Sequence, residues 1–278
     1  MNKLLDDYEG MVLDLDGTLL TSSKQISTNT YSALKEYRDS GKMIFFASGR
    51  SPQNISNFSR LFNQNAFVAF NGASIKTVSN QEISYKINRN ILLELITTLE
   101  SLSLEYLIYS TKTIFLKEQT TLNRRWIENP VFFKNLGCSI EFIKESTTFL
   151  DLKLFYPKLV KENDILKLVV LPSNREAFDL FYGSYRLLKS ISMNRTSRYI
   201  EITSPVIDKA AAVSVMVKDI GISLKDLICI GDNENDLTMI GKAGLGISME
   251  NGTENIKKAA RLQIDSNDND GIAKFIWG

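Results

Sequence analysis

The sequence predicts an α/β protein in which a doubly wound parallel sheet carries an inserted α+β domain. Short apolar runs alternate with helical segments in the first third of the chain, and the same alternation returns in the last third. The middle third mixes alternating strand patterns with helices instead. We therefore expect the outer thirds to form one discontinuous, Rossmann-like core.

The N-terminal third has the pattern of a βαβαβ unit. Strands are predicted at residues 8–15, 42–48 and 66–70, because each is a short, continuous apolar run of the kind that a sheet covered on both faces requires. Helices are predicted from about residue 29 to 40 and from near Pro52.

The C-terminal third repeats this pattern. A helix is predicted over residues 209–219, a buried strand over 227–231 and a further helix over 235–242. Strand and helix thus alternate at both ends of the chain, which favours one parallel sheet built from both.

The middle of the chain predicts a separate α+β domain. Its strand-like stretches are EYLIYS, TIFLKE, SIEFIK and LKLVVL, and its helical stretches are NILLELITTLES and REAFDLFYGSYRLL. The predicted division is a core of residues 1–85 and 190–278 and an inserted domain of residues 86–189.

Composition excludes several kinds of chemistry. The 33 basic and 32 acidic residues give a net charge of +1, which provides no general attraction to nucleic acid or to an anionic membrane. The chain has no histidine, which excludes serine–histidine hydrolysis, histidine phosphoryl carriers and histidine-based zinc sites. Cys138 and Cys229 lie far apart and are expected to be small buried hydrophobic residues.

The N-terminus carries acidic residues where a signal peptide needs an apolar stretch, and no segment has the length of a membrane span. We expect a cytoplasmic protein, either a monomer or a weak homodimer, with neither nucleic acid nor membrane as a partner.

Asp14 and Asp16 close the first predicted strand. Residues two apart on a strand point to the same face, and an unpaired buried carboxylate is costly. The pair therefore calls for a cation, a proton or solvent. A purely structural interpretation stays open, in which one of them caps the turn before Gly17.

A second pair of carboxylates, Asp232 and Asp236, follows the predicted strand 227–231. The carboxyl ends of parallel strands meet at one edge of a sheet, so Asp14, Asp16 and Asp232 can converge on a single cation. A site made of oxygen ligands alone suits magnesium, which commonly shares its site with a substrate phosphate. The sequence therefore predicts magnesium-assisted phosphoryl transfer.

Two further segments could bind an anion. Ser48, Gly49 and Arg50 join the second strand to a helix, where a hydroxyl and backbone amides can face a phosphate. Lys209 opens a helix, a position unfavourable for a cation unless an anion is near. The alternatives are an ordinary N-cap serine and a solvated surface lysine.

Together these segments resemble the four motifs of the haloacid dehalogenase superfamily: DLDGTLL, ASGR, a lysine before a late helix, and GDNEND. The FNGA segment, the large insertion after it, and AGLGISM and DGIAKF resemble the Cof-type phosphatases, which carry an α/β cap of class IIB. The resemblance covers both outer thirds. It matches no residue motif in the inserted domain.

The resemblance implies a role for each matched acidic residue. Asp14 would be the nucleophile that forms an aspartyl-phosphate, and Asp16 would be the general acid and base. The Asp14 and Asp232 carboxylates and the Asp16 backbone carbonyl would hold Mg²⁺, with Asp236 as an outer or occasional direct ligand. Asn235 would orient the phosphoryl group or the attacking water.

It also implies the residues that contact the substrate. Ser48 and Lys209 would hold the transferring oxygens. Further substrate or phosphate contacts would come from Gly49, Arg50, Asn71 and Gly72. Two positions depart from the family pattern: Asp208, which could weaken the local positive field, and Glu250, which with Asn251 stands where a Gly-Asn pair is more usual in the outer substrate loop.

We therefore expect a magnesium-dependent phosphatase that acts on a small phosphorylated metabolite, such as a sugar phosphate. A sugar phosphomutase is the first alternative, because some relatives return the phosphoryl group to another hydroxyl of the sugar. A non-catalytic module that binds a phosphometabolite is the second, although it would not need both Asp14 and Asp16.

Overall fold

The computed structural model describes residues 2–111, 114–117, 147–150, 164–205 and 207–278. The chain divides into two compact units. Unit 1 combines Met1–Ile83 with Ile207–Gly278, and unit 2 comprises Ser84–Val206. The predicted division placed residues 190–206 in the core domain, whereas the structure assigns them to unit 2.

An eight-stranded sheet forms the centre of unit 1, with strand order β14-β13-β12-β1-β2-β3-β4-β5. The strands from β14 to β3 are parallel, and β4 is antiparallel to β3. The strand bounds are β1 Gly10–Leu13, β2 Met43–Ala47, β3 Phe67–Ala69, β4 Ser74–Lys76, β5 Glu82–Ser84, β12 Leu227–Gly231, β13 Leu245–Met249 and β14 Leu262–Ile264.

Six helices of unit 1 are described: α1 Thr28–Asp39, α2 Pro52–Leu61, α5 Lys209–Val217, α6 Leu237–Lys242, α7 Glu254–Ala259 and α8 Gly271–Trp277. Their starts carry ordinary signals. Ser27 caps α1 by accepting a hydrogen bond from the Thr30 amide, and α2 has proline at its first position. These signals explain why the sequence located both helices.

The central strands β1, β12 and β13 are buried along their whole length. One core cluster joins side chains from β1, β2 and β12 to those of α1 and α8. The sheet is therefore covered as a parallel sheet must be, which explains the continuous apolar runs in the sequence.

Unit 2 is a six-stranded sheet with strand order β10-β11-β9-β6-β7-β8. Its elements are β6 Tyr106–Ser110, β7 Ile114–Lys117, β8 Thr147–Leu150, β9 Ile165–Val170, β10 Ser192–Arg195 and β11 Ile200–Thr203, with helices α3 Arg89–Ser101 and α4 Arg175–Tyr185. Apolar side chains of α3 and α4 pack on one face of this sheet and form a second core. The α+β class predicted for the insertion is confirmed.

The predicted strand SIEFIK and Cys138 lie outside the described residues. Of the predicted strands, residues 227–231 form β12 with the predicted bounds, whereas β1 ends at Leu13 rather than Leu15. Cys229 is buried with a free thiol, as expected.

Among the residues placed by the structure, no helix is long and apolar enough to cross a membrane.

Candidate active site

The carboxyl ends of β1 and β12 lie side by side in the sheet. The two strands pair in parallel, with Leu13 opposite Ile230, and the Asp14 amide donates a hydrogen bond of 3.0 Å to the Ile230 carbonyl. Asp14 and Asp232 each follow the end of their strand. Distant parts of the sequence are thus brought to one edge, as the strand pattern predicted.

Three carboxylates meet at this edge. One oxygen each from Asp14, Asp232 and Asp236 lies within 4.8 Å of the others. Asp236 is fully buried, and its Oδ2 accepts hydrogen bonds of 3.2 Å from the amides of Asp232 and Asn233. The turn that follows β12 therefore folds its own acidic side chain back toward Asp14.

Lys209 supplies the positive charge of this cluster. It is the first residue of α5, and its side chain is buried completely. Its Nζ donates to Asp14 Oδ1 at 2.7 Å and to Asp236 Oδ1 at 2.5 Å. The surface-lysine alternative for Lys209 is therefore wrong, because two buried carboxylates hold its ammonium group.

One lysine does not balance three carboxylates. Burial raises the pKa of Asp14 well above its ordinary value, and Asp236 and Asp232 add to the rise while Lys209 opposes it. Burial and the charge of Asp236 raise the pKa of Asp232 to about 7. Although burial opposes its charge, Asp14 and Asp236 raise the pKa of Lys209. The cluster therefore favours a proton or a further cation.

The ligand chemistry of the cluster fits a divalent metal ion. Carboxylate oxygens are hard ligands, and a chain without histidine offers no imidazole alternative. The Asp14, Asp232 and Asp236 oxygens lie close enough together to share one ion.

Asp16 lies outside this group of three. The strand that was expected to present Asp14 and Asp16 on one face ends at Leu13, before either residue. Both carboxylate oxygens of Asp16 are bound by Arg50, and Lys24 Nζ donates to Oδ1 at 2.6 Å. Burial opposes ionisation, but the hydrogen bonds and charges of Arg50 and Lys24 outweigh it and lower the pKa of Asp16 to about 2.

The turn after β2 approaches the site through Ser48, Gly49 and Arg50. Ser48 is buried, and its amide donates to the Val68 carbonyl at 2.9 Å while its carbonyl accepts from the Asn71 amide at 3.0 Å. A Cβ added at Gly49 would lie 3.2 Å from Asn71 Oδ1. The turns after β2 and β3 are therefore packed directly on each other.

Asn71 and Gly72 lie in a turn with an unusual backbone. The successive φ values are 50° at Phe70, 57° at Asn71 and 114° at Gly72. Residues other than glycine rarely adopt positive φ values. Asn71 Oδ1 accepts a hydrogen bond of 2.9 Å from Asn235 Nδ2, which ties the turn to the segment after β12. Such conformations concentrate at functional sites, where the surrounding structure holds them.

The two residues that depart from the family pattern have ordinary surroundings. Asp208 caps α5 by accepting a hydrogen bond of 2.7 Å from the Ala211 amide, and its other oxygen lies 3.9 Å from Lys242 Nζ. Glu250 is exposed. The local reason for an aspartate before Lys209 is thus the start of the helix.

A family model described as haloacid dehalogenase-like hydrolase matches residues 11–276 of the chain. This range spans the carboxylate cluster, both of its flanking strands and the inserted unit. The chain belongs to the haloacid dehalogenase-like hydrolases.

Individual relatives of this hydrolase extend over nearly the whole chain. The 5-amino-6-(5-phospho-D-ribitylamino)uracil phosphatase YcsE of Bacillus subtilis is 25% identical and covers 97% of this chain and 95% of its own. A haloacid dehalogenase-like hydrolase structure from Bacteroides thetaiotaomicron has a TM-score of 0.79 and 26% identity, covering 97% of this chain and 98% of its own. A solved subclass IIB sugar phosphatase has a TM-score of 0.76 and 20% identity, with 96% of both chains covered.

The predicted resemblance to phosphatases with a class IIB cap is confirmed by these comparisons. The hydrolase is a phosphatase, and its substrate is a phosphorylated small molecule. The match to the solved sugar phosphatase extends over 96% of this chain and so includes the fold of the inserted unit 2.

Sequence reasoning gave no site role to three residues near the carboxylate cluster and Asp16: Thr18, Lys24 and Asn251. Thr18 Oγ1 donates to Asp232 Oδ1 at 3.0 Å, and Asn251 Nδ2 donates to the Gly17 carbonyl at 2.8 Å. Thr18 could have been found, because it belongs to the DLDGTLL segment. Lys24 carries no sequence signal, since only the tertiary structure brings it to Asp16.

Proposed function

We propose that this phosphatase hydrolyses a small phosphorylated metabolite, a sugar phosphate or a related phosphate ester, through a phosphorylated Asp14 and with Mg²⁺ as cofactor. The observation that carries the proposal is the burial of Asp14 at the sheet edge against Asp232, Asp236 and Lys209. A buried carboxylate with a lysine and two further carboxylates beside it has few structural explanations.

The carboxylates of Asp14 and Asp232 would hold the metal. The Asp16 backbone carbonyl and Asp236 would provide the remaining ligands from the protein. When bound, Mg²⁺ would neutralise charge on the transferring phosphoryl group and on its ligands. The raised pKa of Asp232 supports this assignment, because a divalent cation replaces the proton that the cluster otherwise favours.

Asp14 would attack phosphorus, so that a bond forms between its carboxylate oxygen and phosphorus while the bond to the leaving oxygen breaks. Lys209 and Ser48 would hold the oxygens of the phosphoryl group, and Asn235 would orient it. Lys209 already contacts Asp14 Oδ1, so its ammonium group lies beside the carboxylate that would accept the phosphoryl group.

Asp16 would move the protons. In the first step it would give a proton to the leaving oxygen, and in the second it would take one from the water that attacks the phosphorylated Asp14, releasing phosphate. Arg50 and Lys24 keep Asp16 ionised in the present arrangement. The negative charge of an entering phosphate would raise its pKa and so favour the protonated form that the first step requires.

The substrate side would be lined by Gly49, Asn71 and Gly72. The substrate class is supported by a relative named for a phosphoribitylamino compound and by a structural neighbour titled a sugar phosphatase. Both names describe phosphate esters of a polyol or a sugar, so alkyl phosphates are the class to test first.

The experiment is a panel of phosphorylated sugars, polyols and p-nitrophenyl phosphate, assayed for phosphate release with Mg²⁺ and with EDTA. The wild type is expected to release phosphate only with the metal. Asp14→Asn should lower kcat by at least ~10⁴-fold because the nucleophile is lost. The variant should still bind substrate. Asp208→Asn is the matched control, since asparagine also caps helices and should leave kcat unchanged. Turnover by Asp14→Asn at the wild-type rate would rule out Asp14 as nucleophile.

A further inference from the structure

The carboxylate of Asp16 is bound on both oxygens by two different cations. Arg50 Nε donates to Oδ2 at 2.7 Å, and Arg50 Nη2 donates to Oδ1 at 2.8 Å. Lys24 Nζ donates to the same Oδ1 at 2.6 Å. A forked guanidinium defines the plane of a carboxylate, and a second donor on one oxygen limits its rotation about that contact.

Arg50 is itself held in place. Its side chain is 8% exposed, its Nη1 donates to Asn54 Oδ1 at 3.1 Å, and its guanidinium lies 5.6 Å from the centre of the Phe58 ring. Asn54 and Phe58 both belong to α2. The Arg50 guanidinium that binds Asp16 is therefore held by contacts with α2, so that Asp16 has a rigid partner.

Lys24 reaches Asp16 from a turn with a left-handed backbone. Its φ is 62°, which lies in the left-handed region of backbone conformation. This region favours glycine and is unfavourable for lysine. The turn is closed by hydrogen bonds between Thr21 and Gln25, and the Ser22 amide and hydroxyl donate to the Asp268 carboxylate. A lysine in a backbone conformation that suits glycine points to a use for its side chain.

We propose that Arg50 and Lys24 are positioning residues for Asp16, which together hold its carboxylate in the orientation for proton transfer to the leaving oxygen. The inference rests on the proposed function, in which Asp16 moves these protons. It differs from the expectation for Arg50, because the guanidinium acts through Asp16 rather than through the substrate.

Lys24→Gly tests the role of the lysine side chain without straining the backbone. The substrates are the alkyl phosphate that the wild type hydrolyses fastest and p-nitrophenyl phosphate, whose leaving group is a stable anion and needs little proton transfer. General acid–base catalysis contributes about 10²- to 10⁴-fold, so we expect kcat for the alkyl phosphate to fall about tenfold. KM should stay within about twofold, kcat for p-nitrophenyl phosphate should fall much less, and Lys24→Arg should restore part of the loss.

The matched control is Asn63→Gly, which relieves another left-handed backbone position, at an exposed residue after α2. It should leave both substrates unchanged. Three outcomes in Lys24→Gly would each overturn the proposal: equal losses of kcat on both substrates, a change confined to KM, or alkyl phosphate turnover at or above the wild-type rate.

Arg50→Lys separates geometry from charge, because it keeps the cation and loses the fork. We expect the same preferential loss on the alkyl phosphate, larger than that of Lys24→Gly. Unchanged alkyl phosphate turnover in Arg50→Lys would overturn the positioning role of Arg50.

Asp16→Asn tests separately the proposed proton-transfer role of Asp16, on which the positioning roles of Arg50 and Lys24 depend. If this variant shows no preferential loss on the alkyl phosphate, the proposed role of Asp16 fails and the positioning roles fail with it. If Asp16→Asn shows the loss and neither Lys24→Gly nor Arg50→Lys does, only the inference about positioning is overturned.

Discussion

Gly17 shows how closely the site is packed at the level of single residues. Its φ is 85°, and a Cβ added there would lie 2.3 Å from Asp232 Oδ2. Gly41 has a similar φ of 91°, but its added Cβ would meet nothing within 4 Å. The two glycines therefore share a backbone requirement, and only Gly17 also makes room for a carboxylate of the cluster.

Alanine at these two positions separates the effects. Gly41→Ala should cost about 1 kcal/mol of unfolding free energy, because alanine is strained at positive φ, and should leave the Mg²⁺ dependence of activity unchanged. Gly17→Ala should also displace Asp232 and raise the Mg²⁺ concentration for half-maximal activity, by about tenfold or more for a loss of about 1.4 kcal/mol. Magnesium titrations of both variants test this, and equal half-maximal concentrations would contradict it.

The raised pKa of Asp232 predicts how stability depends on pH. In the unfolded chain this carboxyl titrates near 3.8, whereas burial raises its pKa in the folded protein to about 7. Between these values the folded state binds the extra proton, so the stability of the metal-free protein should fall as pH rises from about 4 to 7. One pKa unit is worth about 1.4 kcal/mol, so this carboxyl lowers the free energy of unfolding by at most ~4 kcal/mol over this pH range.

Urea unfolding at several pH values in EDTA measures this effect, and excess Mg²⁺ should reduce the fall because the ion replaces the proton. Asp232→Asn cannot titrate, so its unfolding free energy should depend less on pH. A metal-free wild type that becomes more stable from pH 5 to pH 7 would contradict the prediction.

At the scale of elements, an aromatic cluster joins the first two helices to the sheet. The Phe62 ring lies 5.9 Å from that of Phe46 on β2 and 5.7 Å from that of Tyr31 on α1. Phe62 directly follows α2 and is 1% exposed. It therefore fixes the end of the helix that carries Asn54, the anchor of Arg50.

Phe62→Ala should cost about 3–5 kcal/mol of unfolding free energy, since it removes a buried ring and leaves a cavity. The neighbouring Leu61 is 48% exposed, so Leu61→Ala should cost no more than about 0.5 kcal/mol. Denaturant unfolding of the two variants compares a buried and an exposed residue at the same place in the chain. Equal losses would show that the cluster does not hold the end of α2.

Sequence patterns located the elements of unit 1 well because its signals are local. Strand β12 has the predicted bounds, and α1 at Thr28–Asp39 lies within one residue of the prediction. The hairpin of β10 and β11 was missed. Its strands are short and only partly apolar, and β11 is specified by its pairing with β9 rather than by its own composition.

For the whole molecule, the order of apolar runs along the chain predicted a core interrupted by an insertion, and the structure has two compact units of this kind. The C-terminal junction was misplaced at residue 189 because no linker composition marks it. The unit continues to Val206, since β10 and β11 complete the second sheet.

By itself the sequence determined the fold class, the family and the convergence of Asp14 with Asp232, because parallel strands present their carboxyl ends at one edge. It predicted Asp16 as the third member of this group, whereas the structure places Asp236 there. Only the tertiary structure decided the partner of each charge: Lys209 with Asp14 and Asp236, and Arg50 and Lys24 with Asp16. The physical reason is that strand order follows from local hydrophobic patterns, whereas the direction of a long charged side chain depends on which opposite charges the folded chain brings within a few ångströms.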